Sequence, residues 1–275
     1  GKSTFIKRFM DQMVLPHMED GFKKERAVDE LPQSAAGRTI MTTEPKFIPE
    51  EAVPIILENN AQMRVRMIDS VGYMVPGAVG AEEDGTPRMV TTPWYDYEIP
   101  MTQAAELGTK KVMEEHCSIG LVVTTDGSVT DIPREDYLEA EGRAIRDMKA
   151  TGKPFLVIVN TRNPGSPESG KVQDHLRERY GAESVAADCQ ALNPDGIAQL
   201  LEQLLYSFPL REVQVFMPRW LDALDWDHPV KAALCAALQD YAQNIAMLAQ
   251  AELSLGKLRE LEDVLDVNIR AVDLG

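Results

Sequence analysis

The chain has 275 residues, and its 44% hydrophobic and 26% charged residues exclude disorder along the whole chain and allow one buried α/β core with an appendage. Lys and Arg number 28 against 44 Asp and Glu, so the formal net charge is -16 and nucleic acid is a poor default partner. No run of about 18 apolar residues and no signal peptide is visible, so we expect any contact with a membrane to be peripheral.

The spacing of apolar residues predicts secondary structure from the first residues onward. Apolar residues recur at helical spacing over residues 5–15, which places Ser3 and Thr4 at the N-terminus of a first helix. Polar residues 19–44 and the Gly-, Pro- and acid-rich residues 75–100 are predicted to be loops. The other predicted elements are, in order, a strand over 64–70, a helix over 101–115, a strand over 119–124, a helix over 134–150, a strand over 155–160, a helix over 172–180, a strand over 184–188 and a helix over 194–208.

The alternation of apolar strands with helices predicts an α/β fold, with a mainly parallel sheet and helices on both faces. In such folds the functional loops lie at the carboxyl ends of the strands. After about residue 210 the pattern becomes helical only. We therefore expect a first domain over residues 1–210 and the beginning of a helix-rich middle domain over residues 211–275.

The first four residues, Gly1-Lys2-Ser3-Thr4, match the end of the phosphate-binding loop of P-loop nucleoside triphosphatases. In that loop backbone amides surround the phosphates, the lysine reaches the β and γ phosphates, and the hydroxyl binds magnesium. The first strand and the start of the loop would precede Gly1, so we expect them to lie outside this sequence. A bare Gly-Lys-Ser or Gly-Lys-Thr occurs by chance in roughly one chain in seven of this length, and a polar helix start is the alternative.

Two further segments follow in the order that a GTPase-like site requires. The strand ending at Asp69 delivers Asp-x-x-Gly, in which the aspartate holds the magnesium shell and the amide of Gly72 faces the γ phosphate. The long polar loop before it carries Thr42 and Thr43, candidates for the threonine that senses magnesium and the γ phosphate. A strand-end turn without a ligand and loop threonines without a role are the alternatives.

The base-reading segment departs from the guanine-specific pattern. Asn160-Thr161-Arg162-Asn163 stands where guanine-specific proteins have Asn-Lys-x-Asp, so an amide at Asn163 replaces the carboxylate that selects guanine. That amide can pair with either purine, depending on its flip. We therefore expect ATP rather than GTP. Tyr73 occupies the position where many hydrolytic relatives place a water-orienting glutamine, so we expect slow hydrolysis.

The histidines and cysteines do not form a different catalytic or metal-binding pattern. No Ser, Cys or Asp is arranged around any histidine. The cysteines lack metal-type spacing and lie in or beside apolar runs, which indicates buried thiols in a reducing, cytoplasmic compartment. These residues are His17, His116, His175, His228, Cys117, Cys189 and Cys235.

In these segments the sequence resembles the stage IV sporulation protein A family, cytosolic ATPases that build the basement layer of the bacterial endospore coat. The resemblance extends over essentially all 275 residues. The segments that carry it are Gly1-Lys2-Ser3-Thr4, Thr42-Thr43, Ile68-Asp69-Ser70-Val71-Gly72-Tyr73, Thr91-Thr92-Pro93-Trp94 and Asn160-Thr161-Arg162-Asn163.

The resemblance implies a P-loop domain of the translation-factor-related GTPase class that uses ATP and magnesium. Hydrolysis would drive self-assembly into a static polymer on the mother-cell face of the forespore. A small amphipathic membrane-bound peptide and other coat proteins would bind largely outside this sequence. The implied roles are catalysis for Lys2, Asp69, Thr42 and Thr43, nucleotide contacts for Gly1, Lys2, Ser3, Thr4, Gly72, Asn160 and Asn163, and magnesium binding for Ser3, Thr43 and Asp69.

Two other functions stay open at this point. One is a regulatory GTPase switch, which the acidic charge and the lost guanine motif disfavour. The other is a P-loop scaffold that binds nucleotide without hydrolysing it, which the missing glutamine allows. Competition between nucleotides separates the first from an ATPase, and a phosphate-release assay separates the second.

Overall fold

A computed structural model of the chain describes residues 1–18, 21–31, 46–56, 62–78, 82–83, 86–206, 208–270 and 272. Its strands are β1 (Lys46–Ile56), β2 (Gln62–Asp69), β3 (Glu82–Glu83), β4 (Thr86–Pro87), β5 (Met89–Thr92), β6 (Tyr95–Pro100), β7 (Gly120–Thr125), β8 (Phe155–Asn160) and β9 (Ser184–Ala187). Its α-helices are α1 (Lys2–Phe9), α2 (Gly21–Asp29), α3 (Met101–Lys111), α4 (Arg134–Ala150), α5 (Pro167–Tyr180), α6 (Pro194–Tyr206), α7 (Pro229–Asn244) and α8 (Leu248–Arg259). Single π-helical turns, Met10–Val14 and Val112–His116, continue α1 and α3.

Strands β7, β8 and β9 form a parallel sheet with β8 in the centre. The register pairs Gly120 with Phe155 and Val157 with Ser184. Because both faces of such a sheet are covered, its central strand is an apolar run, and residues 156–159 are at most 2% exposed. The predicted α/β class is therefore confirmed for this part of the chain.

Helices cover the two faces of this sheet. On one face Ile158 packs in a buried cluster with Phe9 of α1 and with side chains of α6. On the other face Val157 packs with Ile145 of α4 and Leu176 of α5. The alternation of successive β8 side chains between these two clusters follows from the two-residue period of a strand.

The other described strands form antiparallel pairs, so the expectation of a mainly parallel sheet holds only for β7 to β9. β1 pairs with β2 in a register that matches Lys46 with Asp69, β3 pairs with β4, and β5 pairs with β6. Strands β3 to β6 lie within residues 75–100, where the loop prediction is wrong. These strands are short, and residues 95–98 are all exposed, so no apolar alternation marks them in the sequence.

Capping side chains account for where one helix differs from its prediction. α4 and β8 span the predicted residues, whereas α5 begins before the predicted residue 172. Ser166 caps α5 by accepting a hydrogen bond from the amide of Ser169 at 3.1 Å, and Pro167 begins the first turn. Gly181 ends α5 with a left-handed φ of 53°.

A buried ion pair fixes the start of α4 on β7. The side chain of Glu141 is 1% exposed, and its carboxylate lies 2.7 Å from the guanidinium of Arg134. The hydroxyl of Thr124, near the end of β7, donates to the same carboxylate at 2.5 Å. Because a buried carboxylate requires such partners, these contacts hold the connection between β7 and α4 in place.

Beyond α6 the described helices form a small core of their own. The hydroxyl of Tyr241 in α7 donates to the carbonyl of Ala251 in α8 at 2.8 Å. Residues 211–218, which precede these helices, are exposed. The buried members of this core are Tyr241, Ile245, Ala251, Leu255 and Leu258.

Candidate functional site

The start of α1 and the end of β2 meet in the structure. The hydroxyl of Ser3 donates a hydrogen bond to Oδ2 of Asp69 at 3.0 Å. Local packing produces this contact, because the apolar face of α1 buries Phe5 and Phe9 and so fixes which way its first turn points. The structure thus brings together two residues that the sequence predicted for one site.

Lys2 and Asp69 are charged groups with incomplete solvation. Burial lowers the pKa of the Lys2 ammonium from its usual value, and the nearby Asp69 charge opposes this effect. Burial raises the pKa of Asp69, and the hydrogen bond from Ser3 and the charge of Lys2 oppose it. An added anion near Lys2 or cation near Asp69 would replace the lost hydration of these groups.

The oxygens at this site fit a partial ligand set for magnesium. Ser3 and Asp69 offer a hydroxyl and a carboxylate side by side, and Mg²⁺ prefers oxygen ligands together with phosphate and water. Within the described ranges no group of three or more His, Cys, Asp or Glu side chains is placed to hold a metal ion. Ser3 and Asp69 would therefore supply only part of the ligand set of a magnesium ion at this place.

Gly72 lies against the ammonium of Lys2. Its φ is +88°, a backbone conformation that favours glycine, and a Cβ at this position would lie 2.7 Å from Nζ of Lys2, so a side chain here would displace that ammonium. Its amide donates to Oγ1 of Thr109 in α3 at 2.9 Å, and both groups are buried. Nothing in the sequence pattern singles out Thr109, because it lies 37 residues away in a predicted helix.

The next residue, Tyr73, contacts α4. Its hydroxyl donates to Oδ2 of Asp147 at 2.6 Å, and the guanidinium of Arg143 lies 5.4 Å from its ring centroid. Burial raises the pKa of Tyr73, and the hydrogen bond to Asp147 raises it further. The side chain of Tyr73 is therefore held by contacts with α4.

Asn160 joins the carboxyl end of β8 to the loop after β9. Its side chain is 7% exposed, and its Oδ1 accepts a hydrogen bond from the amide of Cys189 at 3.1 Å. A Cβ on Gly1 would lie 3.6 Å from the side-chain nitrogen of Asn160 and 2.9 Å from Val123. Gly1, predicted to contact nucleotide, thus lies at the carboxyl ends of β7 and β8.

The other residues of the base-reading segment are either exposed or hydrogen-bonded to neighbouring protein groups. Asn163 is exposed, and its backbone amide donates to Thr161 at 3.1 Å. Thr161 is fully buried and donates to Oδ2 of Asp126 at 2.5 Å, while Ser128 donates to Oδ1 of the same carboxylate. The hydrogen bonds to Asp126 outweigh its burial and lower its pKa.

Of the other predicted site residues, Thr4 lines a different cavity, and two lie outside the described residues. That cavity has a volume of about 370 Å³ and lies between α1 and the loop after β9, lined by Thr4, Lys7, Arg8, Asp11 and Gln190. Thr42 and Thr43 lie outside the described ranges, so their roles stay predictions. Asp126 and Thr109 are site neighbours that the sequence reasoning did not identify, and Thr161 was named in the base-reading segment without a role of its own.

These features define an α/β domain with a lysine, a hydroxyl and a carboxylate gathered at a helix start, followed by a helical region. The family model described as "Stage IV sporulation protein A, ATPase domain" matches residues 1–209. The model described as "Stage IV sporulation protein A, middle domain" matches residues 210–275. The chain belongs to the stage IV sporulation protein A family.

Curated relatives of the same family match this chain over its whole length. Stage IV sporulation protein A of Bacillus anthracis is 42% identical over 275 residues, which are 100% of this chain and 56% of that protein. The proteins of the same name from Bacillus subtilis (strain 168) and Clostridioides difficile (strain 630) are each 41% identical over the same length. The chain therefore spans about half the length of the curated relatives it matches. No solved structure matches it, and no helix of the described part has the length and hydrophobicity to span a membrane.

Asn160 and Asn163 are a matched pair for testing which amide supports the site. We expect Asn160→Ala to lower the free energy of unfolding by about 1–3 kcal/mol, because it leaves the amide of Cys189 without an acceptor. Asn163→Ala removes an exposed side chain and should change that free energy by less than about 0.5 kcal/mol. Urea denaturation of both variants measures the difference, and a loss in Asn160→Ala as small as that expected for Asn163→Ala would show that Asn160 has no supporting role.

Proposed function

We propose that this chain is a P-loop domain of the GTPase-like class that binds ATP with magnesium and hydrolyses it slowly to drive assembly of the bacterial spore coat. The observation that carries the proposal is the contact between Ser3 and Asp69, with Lys2 and Gly72 beside it. A P-loop site needs these four residue types at one place. The family's ATPase-domain description supports the same reading.

In this proposal each site residue has a distinct role. The ammonium of Lys2 binds the β and γ phosphates, which restores the charge interactions that burial removes from it. Ser3 and Asp69 hold magnesium, and we assign Thr43 to the same ion from its sequence position. When bound, magnesium neutralises charge that develops on the phosphates. Gly1 and Gly72 let the backbone approach the phosphates closely.

A cavity between β2 and β7 supports the P-loop class. It has a volume of about 340 Å³ and is lined by consecutive residues, 63–70 of the β2 segment and 119–123 of the β7 segment. A strand face would present only every second residue, so consecutive lining residues indicate that strand edges face the cavity. Among the described strands, β2 pairs only with β1 and β7 only with β8. We propose that a strand preceding Gly1 fills this cavity and joins the two sheets.

The contacts around the base-reading segment favour ATP. Asp126 is a carboxylate in contact with the base-reading segment, and it already accepts hydrogen bonds from Ser128 and Thr161. The amide of Asn163 is exposed and able to bind either purine. A site without a free carboxylate acceptor loses the interaction that selects guanine. This disfavours the regulatory GTPase alternative.

Assembly and location rest on the family rather than on the site. The relatives are named as sporulation proteins, and the chain spans about half of their length. We propose a homopolymer on the cytoplasmic, mother-cell face of the forespore. A small amphipathic membrane-bound peptide and other coat proteins would bind mainly through the rest of the full-length protein, and membrane contact would be peripheral. The acidic net charge of -16 disfavours nucleic acid as a partner.

Lys2 and Lys7 form a matched pair for testing nucleotide binding. Lys2→Ala in the full-length protein should weaken ATP binding by at least about a hundredfold, because the phosphates lose their charged partner. Lys7→Ala, on an exposed position of the same helix, should change the affinity by less than about threefold. In the wild-type protein, GTP should compete at least about tenfold more weakly than ATP in equilibrium titrations. The proposal would be contradicted if the Lys2 variant bound ATP with wild-type affinity, or if GTP competed as well as ATP.

Thr42 and Thr43 test the link between hydrolysis and assembly. Most affinity comes from the phosphate loop, so the double variant Thr42→Ala and Thr43→Ala should keep ATP binding within roughly tenfold while phosphate release slows much more. The variant should remain folded and fail to sediment as polymer with ATP. Thr39→Ala, in the same predicted loop, is the control. Normal turnover with normal polymer would exclude both threonines from the mechanism, and absent turnover in the wild-type protein would favour the scaffold alternative.

A further inference from the structure

The segment that follows Asp69 is held against α3 and α4 by two contacts. The amide of Gly72 donates to Thr109 in α3 at 2.9 Å, and the hydroxyl of Tyr73 donates to Asp147 in α4 at 2.6 Å. Thr109 is 3% exposed, so water does not readily replace its hydroxyl as the acceptor. Two consecutive residues are therefore fastened to two different helices.

The proposed nucleotide function places a second demand on the same amide. Gly72 lies against Nζ of Lys2, the group that would bind the terminal phosphates. In a site of this class the glycine amide faces the γ phosphate. A backbone N–H supplies one good hydrogen bond, so it cannot serve Thr109 and a phosphate oxygen equally well at the same time.

We propose that Thr109 is a positioning residue whose hydroxyl holds the Gly72 amide in a resting arrangement. A γ phosphate must displace this hydroxyl before it can accept a hydrogen bond from the same amide. We call the two contacts, Gly72 to Thr109 and Tyr73 to Asp147, the resting latch. This inference rests on the proposed nucleotide function and adds to it the acceptor that competes with the nucleotide. The latch makes the chain sense the third phosphate, because a nucleoside diphosphate has no group that competes for Gly72.

The latch predicts an effect on nucleotide choice rather than on binding in general. A ligand shifts a conformational equilibrium only by its different affinity for the two arrangements. A triphosphate must release the Gly72 contact, so the latch weakens its binding, whereas it leaves diphosphate binding unchanged. One buried hydrogen bond corresponds to about a fivefold change in the ratio of the two dissociation constants.

Tyr73 is expected to act in the same direction with a smaller effect. Its ring lies beneath Arg143, which also forms an ion pair with Glu106 of α3, and Lys110 lies 3.9 Å from Asp147. These groups hold the tyrosine from both helices. Loss of its hydroxyl would loosen the segment, while the ring and its contact with Arg143 stay in place.

The test compares dissociation constants for ADP and for a non-hydrolysable ATP analogue, measured by equilibrium titration on the full-length protein. Thr109→Val keeps the shape of the side chain and removes the acceptor, whereas Thr109→Ser keeps the hydroxyl and is the control. We expect Thr109→Val to bind the analogue about fivefold more tightly, with ADP unchanged within about twofold. Thr109→Ser should match the wild-type protein. Tyr73→Phe should favour the analogue by about twofold to threefold, and it tests the latch independently if Thr109→Val does not fold.

The outcomes separate the latch from the nucleotide function. If both ligands change by the same factor in Thr109→Val and in Tyr73→Phe, or if the analogue binds more weakly, the latch is wrong although the nucleotide site stands. If the wild-type protein binds neither ADP nor the analogue, the proposed function fails and the latch fails with it. A merely structural role for Thr109 would change stability without changing the ratio of the two constants.

Discussion

The hydrogen bond between Ser3 and Asp69 is the contact on which the candidate site depends, because it joins segments that are 66 residues apart in sequence. The two segments meet at these side chains only because the rest of the fold holds each segment in a fixed position. Phe9 anchors α1 in the same buried cluster as Ile158 of the parallel sheet, and β1 pairs with β2 up to Asp69. The apolar core thus determines where the hydroxyl and the carboxylate meet, and their chemistry follows from that position.

At the carboxyl ends of the parallel strands, several polar side chains already have hydrogen-bond partners. Asn160 accepts from Cys189, and Asp126 accepts from Thr161 and its neighbours. These bonds hold the loops at the carboxyl ends of β7, β8 and β9 in fixed positions. Lys2 is different, because burial lowers its pKa and the described contacts give it only the charge of Asp69. A partly buried cation with one nearby opposite charge is the physical reason to expect an anionic ligand at this place.

The sequence predicted the elements whose signal is local. β8 is an apolar run and the apolar residues of α4 recur at helical spacing, so both were predicted with the observed ends. β5 and β6 were not predicted, because they are short, largely exposed and stabilised by pairing with each other across a turn. Pairing between backbone groups constrains the residue types only weakly, so these strands could not be recognised from the sequence.

The same distinction applies to the site. Lys2, Ser3 and Asp69 could be predicted because their motifs have fixed residue types in a fixed order. Thr109 could not, because its role depends on which side chain the folded chain places at the amide of Gly72. Thr42 and Thr43 lie outside the described residues and remain predictions.

Ser3 and Asp69 share one role, binding a metal ion, only if the metal and a nucleotide bind there together. The most direct measurement is the affinity of the full-length protein for ATP, titrated with Mg²⁺ and with EDTA under otherwise equal conditions. We predict that ATP binds at least about tenfold more tightly with Mg²⁺, because Ser3 and Asp69 would hold the ion and its charge would neutralise that of the phosphates. Equal affinity in the two titrations would contradict the account, since Asp69 would then have no ion to hold.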